Sequence, residues 1–139
     1  MLSQEFQAVY NIFKKNFYKS MCMNSKELTM QEAFSLDIIY MLGTPTIVEY
    51  ANYMGISQPN ATYKVNQMIE KGYLSKTVNL EDKRAYRLQV TDKFLECYRD
   101  NDRYIEKSLD DIKNIFTQEE VQLLEKMLVT VKEMLSKGE

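Results

Sequence analysis

Residues 46–91 read TIVEYANYMGISQPNATYKVNQMIEKGYLSKTVNLEDKRAYRLQVT, and this stretch decides the fold. Thr46 followed by Glu49 has the spacing of a helix-capping box, and Gly55 is placed to end the short helix that begins there. Ser57 then has the side chain of an N-cap for a second helix, which a later glycine closes. Two helices that meet across a tight glycine turn are the pattern of a helix-turn-helix.

The sequence changes character after this pair of helices. Residues 73–79 and 85–90 are rich in β-branched and aromatic side chains, and they flank the charged turn LEDKR. Alternation in the second arm places Tyr86, Leu88 and Val90 on one face of a strand. The pattern predicts a two-stranded hairpin, which is the wing of a winged helix.

Outside this centre, the sequence predicts helices toward both ends. Apolar residues at steps of three and four indicate one helix over residues 4–20, another from Thr29 to Gly43, and long helices after the wing. Thr29 with Glu32 and Thr117 with Glu120 also have the capping-box spacing, and Thr117 begins the last helix. The apolar positions of this last helix follow a coiled-coil stripe: Val121, Leu124, Leu128, Val131 and Leu135.

The composition argues against an enzyme. The 139 residues include no histidine, which removes the commonest general base and metal ligand. The chain also has no phosphate-binding loop and no nucleophile elbow. We therefore expect no catalytic site, no metal site and no cofactor. The sequence has neither a signal-peptide pattern nor an apolar run of about 18 residues, so we expect a cytoplasmic protein without a membrane span.

The charge is unevenly distributed along the chain. The net charge is −2, yet residues 57–93 hold seven basic and four acidic side chains, so this segment carries +3 and the remainder −5. A basic segment inside an acidic chain can approach phosphates at one face only. Any contact with DNA is therefore expected to be local.

The polar residues that open the second helix of the pair are candidates for contact with a major groove. They are Ser57, Gln58, Asn60, Thr62, Tyr63 and Lys64. Amide side chains pair with adenine through two hydrogen bonds, so Asn60 and Gln58 are the first candidates for reading bases. Lys76, Lys83 and Arg84 add positive charge in the hairpin and are further candidates for contact with DNA. For this segment alone, an ordinary helical hairpin with a polar outer face is an equal alternative.

The order of helices, glycine turn, helix and charged hairpin resembles the MarR family of winged-helix regulators over most of the chain. The most specific part is the wing, where Asp82, Lys83 and Arg84 precede a strand that ends at Thr91. The resemblance implies that Arg84 enters the minor groove, where a narrow groove favours arginine, and that Asp82 holds the wing. The stretch from residue 46 to residue 72 is equally similar.

The chain departs from the family pattern at several positions. Gln58 and Tyr63 stand where the family often has a basic residue, which implies weaker phosphate attraction or a different operator, and Lys64 is placed to compensate. The family's glycine soon after the second strand is also missing, since Phe94 follows Lys93. These departures affect DNA contact and the start of the next helix more than the fold.

The predicted fold class is mainly α (α+β), a winged helix-turn-helix with dimerisation helices at both ends. The resemblance implies one MarR-like domain over residues 1–139, with dimerisation helices at about 1–22 and 95–137 and the winged part at about 29–91. The expected function is sequence-specific regulation of transcription by a homodimer on a pseudo-palindromic, double-stranded operator. We expect a repressor that a small molecule releases. A winged-helix module that binds proteins and not DNA is the alternative.

The resemblance also suggests how the protein is regulated. Many relatives bind small aromatic ligands in a crevice beside the dimer helices, although an aromatic stripe also suits a plain core. The candidate lining residues are Tyr10, Phe13, Phe17, Tyr40 and Met41. Some relatives sense oxidants through a thiol in the first helix. Cys22 lies between Lys19 and Lys26, whose charges favour a thiolate, and an idle thiol is the alternative.

Overall fold

The computed structural model contains helices at both ends of the chain and an antiparallel two-stranded sheet between them. The helices are α1 (Leu2–Asn24), α2 (Met30–Met41), α3 (Ile47–Met54), α4 (Gln58–Glu70), α5 (Asp92–Ile115) and α6 (Gln118–Ser136), and the strands are β1 (Leu74–Val78) and β2 (Tyr86–Val90). The structure describes residues 1–24 and 27–138, without the side chains of 21–24. The predicted winged helix-turn-helix, mainly helical with a small sheet, is confirmed.

Local side-chain hydrogen bonds set where the helices begin. Thr29, Thr46 and Thr117 each form a complete capping box with the glutamate three residues later, as the spacing predicted. At the start of α4, Ser57 Oγ accepts a hydrogen bond from the Asn60 backbone N–H at 3.3 Å. Each cap satisfies helix N–H groups that lack a partner inside the helix.

The turn between α3 and α4 depends on Gly55. Its φ of 64° and ψ of 31° lie in the left-handed region, which residues other than glycine rarely adopt. The N–H of Ile56 donates to the Ala51 carbonyl at 3.1 Å, which closes the end of α3. The chain is thereby turned so that α4 begins three residues after the glycine.

The core of the winged part lies between α2, α3, α4, the sheet and the start of α5. Its largest fully buried side chains are Leu36, Ile39, Tyr50, Val65, Met68, Leu74, Leu88 and Phe94. Burying an aliphatic side chain of this size contributes about 1.5–3 kcal/mol. Because Ala61, Val65 and Met68 are buried in this core, the polar side of α4 is left on the surface.

The sheet is buried at its base and exposed near its tip. Leu74 pairs with Val90 at the base, and Val78 pairs with Tyr86 toward the tip. Leu88 is fully buried, whereas Tyr86 is 48% exposed. The prediction that Tyr86, Leu88 and Val90 share one face agrees with this register, but only the base of that face reaches the core.

The described residues from 102 onward form a second compact unit, separate from the unit of residues 1–101. None of the α6 residues is buried, and the apolar stripe predicted there is largely exposed. A groove of about 460 Å³ in this unit is lined mainly by Leu109, Ile112, Val121, Leu124 and Leu128. Within the described chain, no helix is long and apolar enough to cross a membrane.

Candidate nucleic-acid interface

The start of α4 presents a polar surface. Ser57, Gln58, Asn60 and Tyr63 are exposed, whereas Thr62 and Lys64 are half-buried. Thr62 Oγ1 donates to the Gln58 carbonyl of the same helix at 2.9 Å, so its hydroxyl proton is already used. Tyr63 OH accepts from Gln67 Nε2 at 3.0 Å. The six predicted residues lie at the N-cap and in the first half of α4, and the exposed amides are the groups best placed to reach base edges.

Lys76 connects the sheet to α4. Its Nζ donates to Asn66 Oδ1 at 3.0 Å and lies 5.9 Å from the centre of the Tyr86 ring. These contacts hold the lysine between the wing and α4. Its predicted contact with DNA remains a prediction.

The loop between the strands is held by its own polar side chains. Asp82 Oδ1 accepts the Arg84 backbone N–H at 3.0 Å, and the Asp82 carbonyl accepts the Ala85 N–H at 3.0 Å. Lys83 and Arg84 therefore stand at an exposed tip whose backbone is folded back on Asp82. This contact is of the kind that a wing-holding role for Asp82 requires, and the role itself remains a prediction.

Sequence reasoning missed Asn79, which supports the same loop. Asn79 is only 7% exposed, and its Oδ1 accepts the Glu81 N–H at 3.1 Å. Its own N–H donates to the Ala85 carbonyl at 3.1 Å. Asparagine commonly bonds the backbone two residues later in turns, so its position before the charged tip was a usable signal.

Arg87 was also missed, and the sequence carried no signal for its partner. Its Nη1 donates to the Thr44 carbonyl at 2.8 Å, across 43 residues of sequence. Beside it, the Leu88 N–H donates to the Pro45 carbonyl at 2.7 Å, and Thr46 forms an isolated antiparallel bridge with Arg87. The segment before α3 therefore lies along the free edge of β2.

Two lysines of the basic segment are neutralised at the far end of α4. Lys71 Nζ lies 2.8 Å from Glu32 Oε2, and Lys93 Nζ lies 2.9 Å from Glu27 Oε2. Both acids are outside residues 57–93. The net charge of +3 counted along the sequence therefore overstates the positive charge available to phosphates. What remains positive lies nearer the start of α4 and the wing tip.

These pairs shift the pKa values of their carboxyl groups. The hydrogen bond from Lys93 and its charge hold the Glu27 pKa below its ordinary value. Burial raises the Glu32 pKa, but the hydrogen bonds from Lys71 and Thr29 together outweigh burial, so this pKa is also lowered. Both acids are therefore ionised at neutral pH, and the two ion pairs are present there.

The candidate effector residues are only partly brought together. The Phe17 and Tyr40 rings lie 5.6 Å and 5.0 Å from the Tyr98 ring. The Tyr98 hydroxyl donates to Asp37, and burial raises the pKa of this carboxyl despite that bond. The other candidates lie on the surface: Tyr10, Phe13 and Met41 are 53%, 36% and 64% exposed. The ligand role remains a prediction.

The redox candidate lies outside the part of the chain that the structure describes. The side chain of Cys22 and the whole of Lys26 lie outside the described residues. In the part of the chain that is described, no three His, Cys, Asp or Glu side chains are grouped as ligands for a metal ion.

Comparison with known proteins places this geometry among winged-helix regulators. Residues 28–86 match the family model described as MarR family. The HTH-type transcriptional regulator BilQ of Clostridioides difficile (strain CD3) is 28% identical over 123 residues, which are 87% of this chain and 83% of the relative. The transcriptional regulator Tm0710 from Thermotoga maritima is 20% identical with a TM-score of 0.66, covering 99% of this chain and 95% of its own.

A further solved structure is that of Streptococcus pneumoniae FabT in complex with DNA. It is 17% identical, with a TM-score of 0.62, and both chains are covered completely. At this level of identity, the structural similarities establish the fold along the whole chain.

Proposed function

We propose that this chain, whose residues 28–86 match the MarR family model, acts as a transcriptional regulator of that family, binds a specific double-stranded operator as a homodimer and represses transcription. The observation that carries the proposal is the pairing of two exposed polar features on one winged unit. These are the start of α4, with Gln58 and Asn60, and the wing tip, with Lys83 and Arg84.

Each feature suits a different groove of DNA. The start of α4 is narrow and polar, and amide groups can identify adenine in a major groove through paired hydrogen bonds. The wing tip is a short, folded loop with two basic side chains, and an arginine inserted into a narrow minor groove gains from its negative potential. In this proposal, α4 identifies the sequence and the wing adds affinity.

The proposed homodimer is supported by apolar surface that one protomer leaves exposed. Phe6 and Val9 of α1 are 63% and 51% exposed, and Leu128 and Leu135 of α6 are 55% and 70% exposed. Several large apolar side chains exposed along one helix indicate an interaction surface in proteins that remain in solution. A twofold dimer places two copies of α4 about one helical turn of DNA apart, so the operator is a pseudo-palindrome with half-sites about 10 base pairs apart.

For regulation, we propose that a small aromatic molecule releases the repressor by binding near Phe17 and Tyr40. Both rings pack against Tyr98, so a ligand that separates them would move α1 and α2 relative to the start of α5. Isothermal titration with substituted benzoates and phenols, followed by operator binding with each hit present, tests this. Ligands that bind without weakening operator affinity would contradict release.

Base reading by α4 can be tested with sites selected from random DNA. Each A·T pair of the selected site is changed in turn, and affinities are measured for wild type, Asn60→Ala and Asn52→Ala. Asn52 is the matched control, because it is an exposed asparagine of α3. A bidentate contact discriminates by about 1–3 kcal/mol, so Asn60→Ala should lose a preference of roughly 5- to 150-fold at one base pair. Equal behaviour of the two variants would exclude Asn60 as a base reader.

A further inference from the structure

We propose that Arg87 is a positioning residue that sets the direction of the wing relative to α4, without itself contacting DNA. The inference rests on the proposed operator binding and names a residue that this binding requires. Arg87 lies on β2, three residues after the wing-tip Arg84, so a small change at its position is transmitted directly to the tip.

The guanidinium of Arg87 connects two loops that are far apart in sequence. Its Nη1 donates to the Thr44 carbonyl at 2.8 Å, in the turn between α2 and α3. Its Nη2 lies 3.8 Å from Glu81 Oε2, in the wing loop. The Arg87 side chain is 32% exposed, and its hydrogen bond to the carbonyl lies at the protein surface. A planar group with several fixed donors can make both contacts at once, which a lysine ammonium does less well.

The wing is thereby held from both of its faces. Residues 76 and 88 are opposite each other in the register, so Lys76 shares the face of the buried Leu88, and Arg87 is on the other face. Lys76 ties the first face to α4 through Asn66. Arg87 ties the second face to the turn before α3. Removing the second contact leaves the wing held on one face only, by Lys76.

The surroundings of Arg87 argue against a direct phosphate contact. The residue lines an open cleft with Glu49 and Tyr53 of α3, and its Nη2 lies 3.8 Å from Glu81 Oε2. One carboxylate close to the guanidinium and a second in the same cleft weaken its attraction for a phosphate. Its influence on DNA binding therefore acts through the wing.

A double-mutant cycle on the full chain tests the assignment. Operator affinity is measured for wild type, Arg84→Ala, Arg87→Ala and the double variant, and the cycle is repeated with Asn60→Ala in place of Arg84→Ala. Gln89→Ala is the matched control, since it lies exposed on the same face of the same strand. Urea unfolding verifies that each variant is folded, and Arg87→Lys replaces Arg87→Ala in both cycles if the alanine variant is not.

We expect Arg87→Ala to weaken operator affinity about tenfold and Gln89→Ala to leave it unchanged. Arg84→Ala should then cost much less in the Arg87→Ala background than in wild type, whereas the cost of Asn60→Ala should be the same in both. The positioning role would be overturned if Arg84→Ala cost the same affinity in both backgrounds, or if Arg87 were coupled equally to Arg84 and Asn60. Either result would leave operator binding intact. A wild-type protein without operator preference would overturn both.

Discussion

Truncation of Leu88 should destabilise the winged unit far more than truncation of a leucine at the wing tip. Leu88 is fully buried in β2, between the base of the sheet and the helices. Leu→Ala at such a site removes buried surface and leaves a cavity, which costs about 2–5 kcal/mol. With a urea slope of about 1–3 kcal/mol per molar, the unfolding midpoint should fall by at least about 0.7 M.

Leu80→Ala is the matched control, because Leu80 lies in the same hairpin and is 93% exposed. Its midpoint should stay near that of wild type. Urea unfolding followed by circular dichroism measures both variants, at one protomer concentration because a dimer's stability depends on it. Similar losses in the two variants, or a Leu88→Ala midpoint within 0.3 M or so of wild type, would refute the burial of the wing base in the core.

Four further outcomes are expected. Thr46→Ala removes the cap of α3 and should cost about 1 kcal/mol in urea unfolding; no loss would mean that the capping box does not stabilise the helix. Leu128→Glu should yield monomers in sedimentation experiments, whereas Thr130→Glu, on another side of α6, should leave dimers; dimers in both would exclude this stripe from the interface. Because the Glu32 pKa is lower in the folded than in the unfolded protein, ionisation of this carboxyl stabilises the fold. This contribution to the free energy of unfolding is complete above the unfolded pKa of 4.5 and is lost as pH falls through the folded pKa. Glu32→Gln should therefore remove this part of the destabilisation by acid. Because the Asp37 pKa is higher in the folded than in the unfolded protein, ionisation of this carboxyl opposes folding as pH rises through the folded pKa. The free energy of unfolding of Asp37→Asn should therefore increase relative to that of wild type between pH 3 and pH 7. A difference between the two proteins that does not change with pH would contradict a raised Asp37 pKa.

The parts of the fold that depend on neighbouring residues were predictable from the sequence. The capping boxes at Thr29, Thr46 and Thr117 and the left-handed Gly55 each involve residues within about one helical turn, so their spacing alone indicates them. The polar start of α4 was predictable for the same reason.

Contacts between distant segments were not predictable. The Arg87 guanidinium meets the Thr44 carbonyl, a backbone acceptor that every residue carries, so no side-chain pattern marks that partner. The ion pair of Lys71 with Glu32 was equally unpredictable from the sequence. Because of this pair, the charge counted along the sequence overstates the positive charge that is available to phosphates. The aromatic stripe of α1 indicated an apolar face correctly, but not that Phe17 would pack against Tyr98.

Operator affinity as a function of salt tests the central claim most directly. Fragments from the region upstream of the protein's own coding sequence and an unrelated fragment of equal length are titrated with wild type and Arg84→Ala. We expect wild type to prefer one upstream fragment, with affinity that falls steeply as salt rises, and Arg84→Ala to bind more weakly with a slope reduced by about one. Equal binding of both fragments by wild type, or no binding at low salt, would contradict sequence-specific DNA binding and favour a winged helix that binds a protein partner.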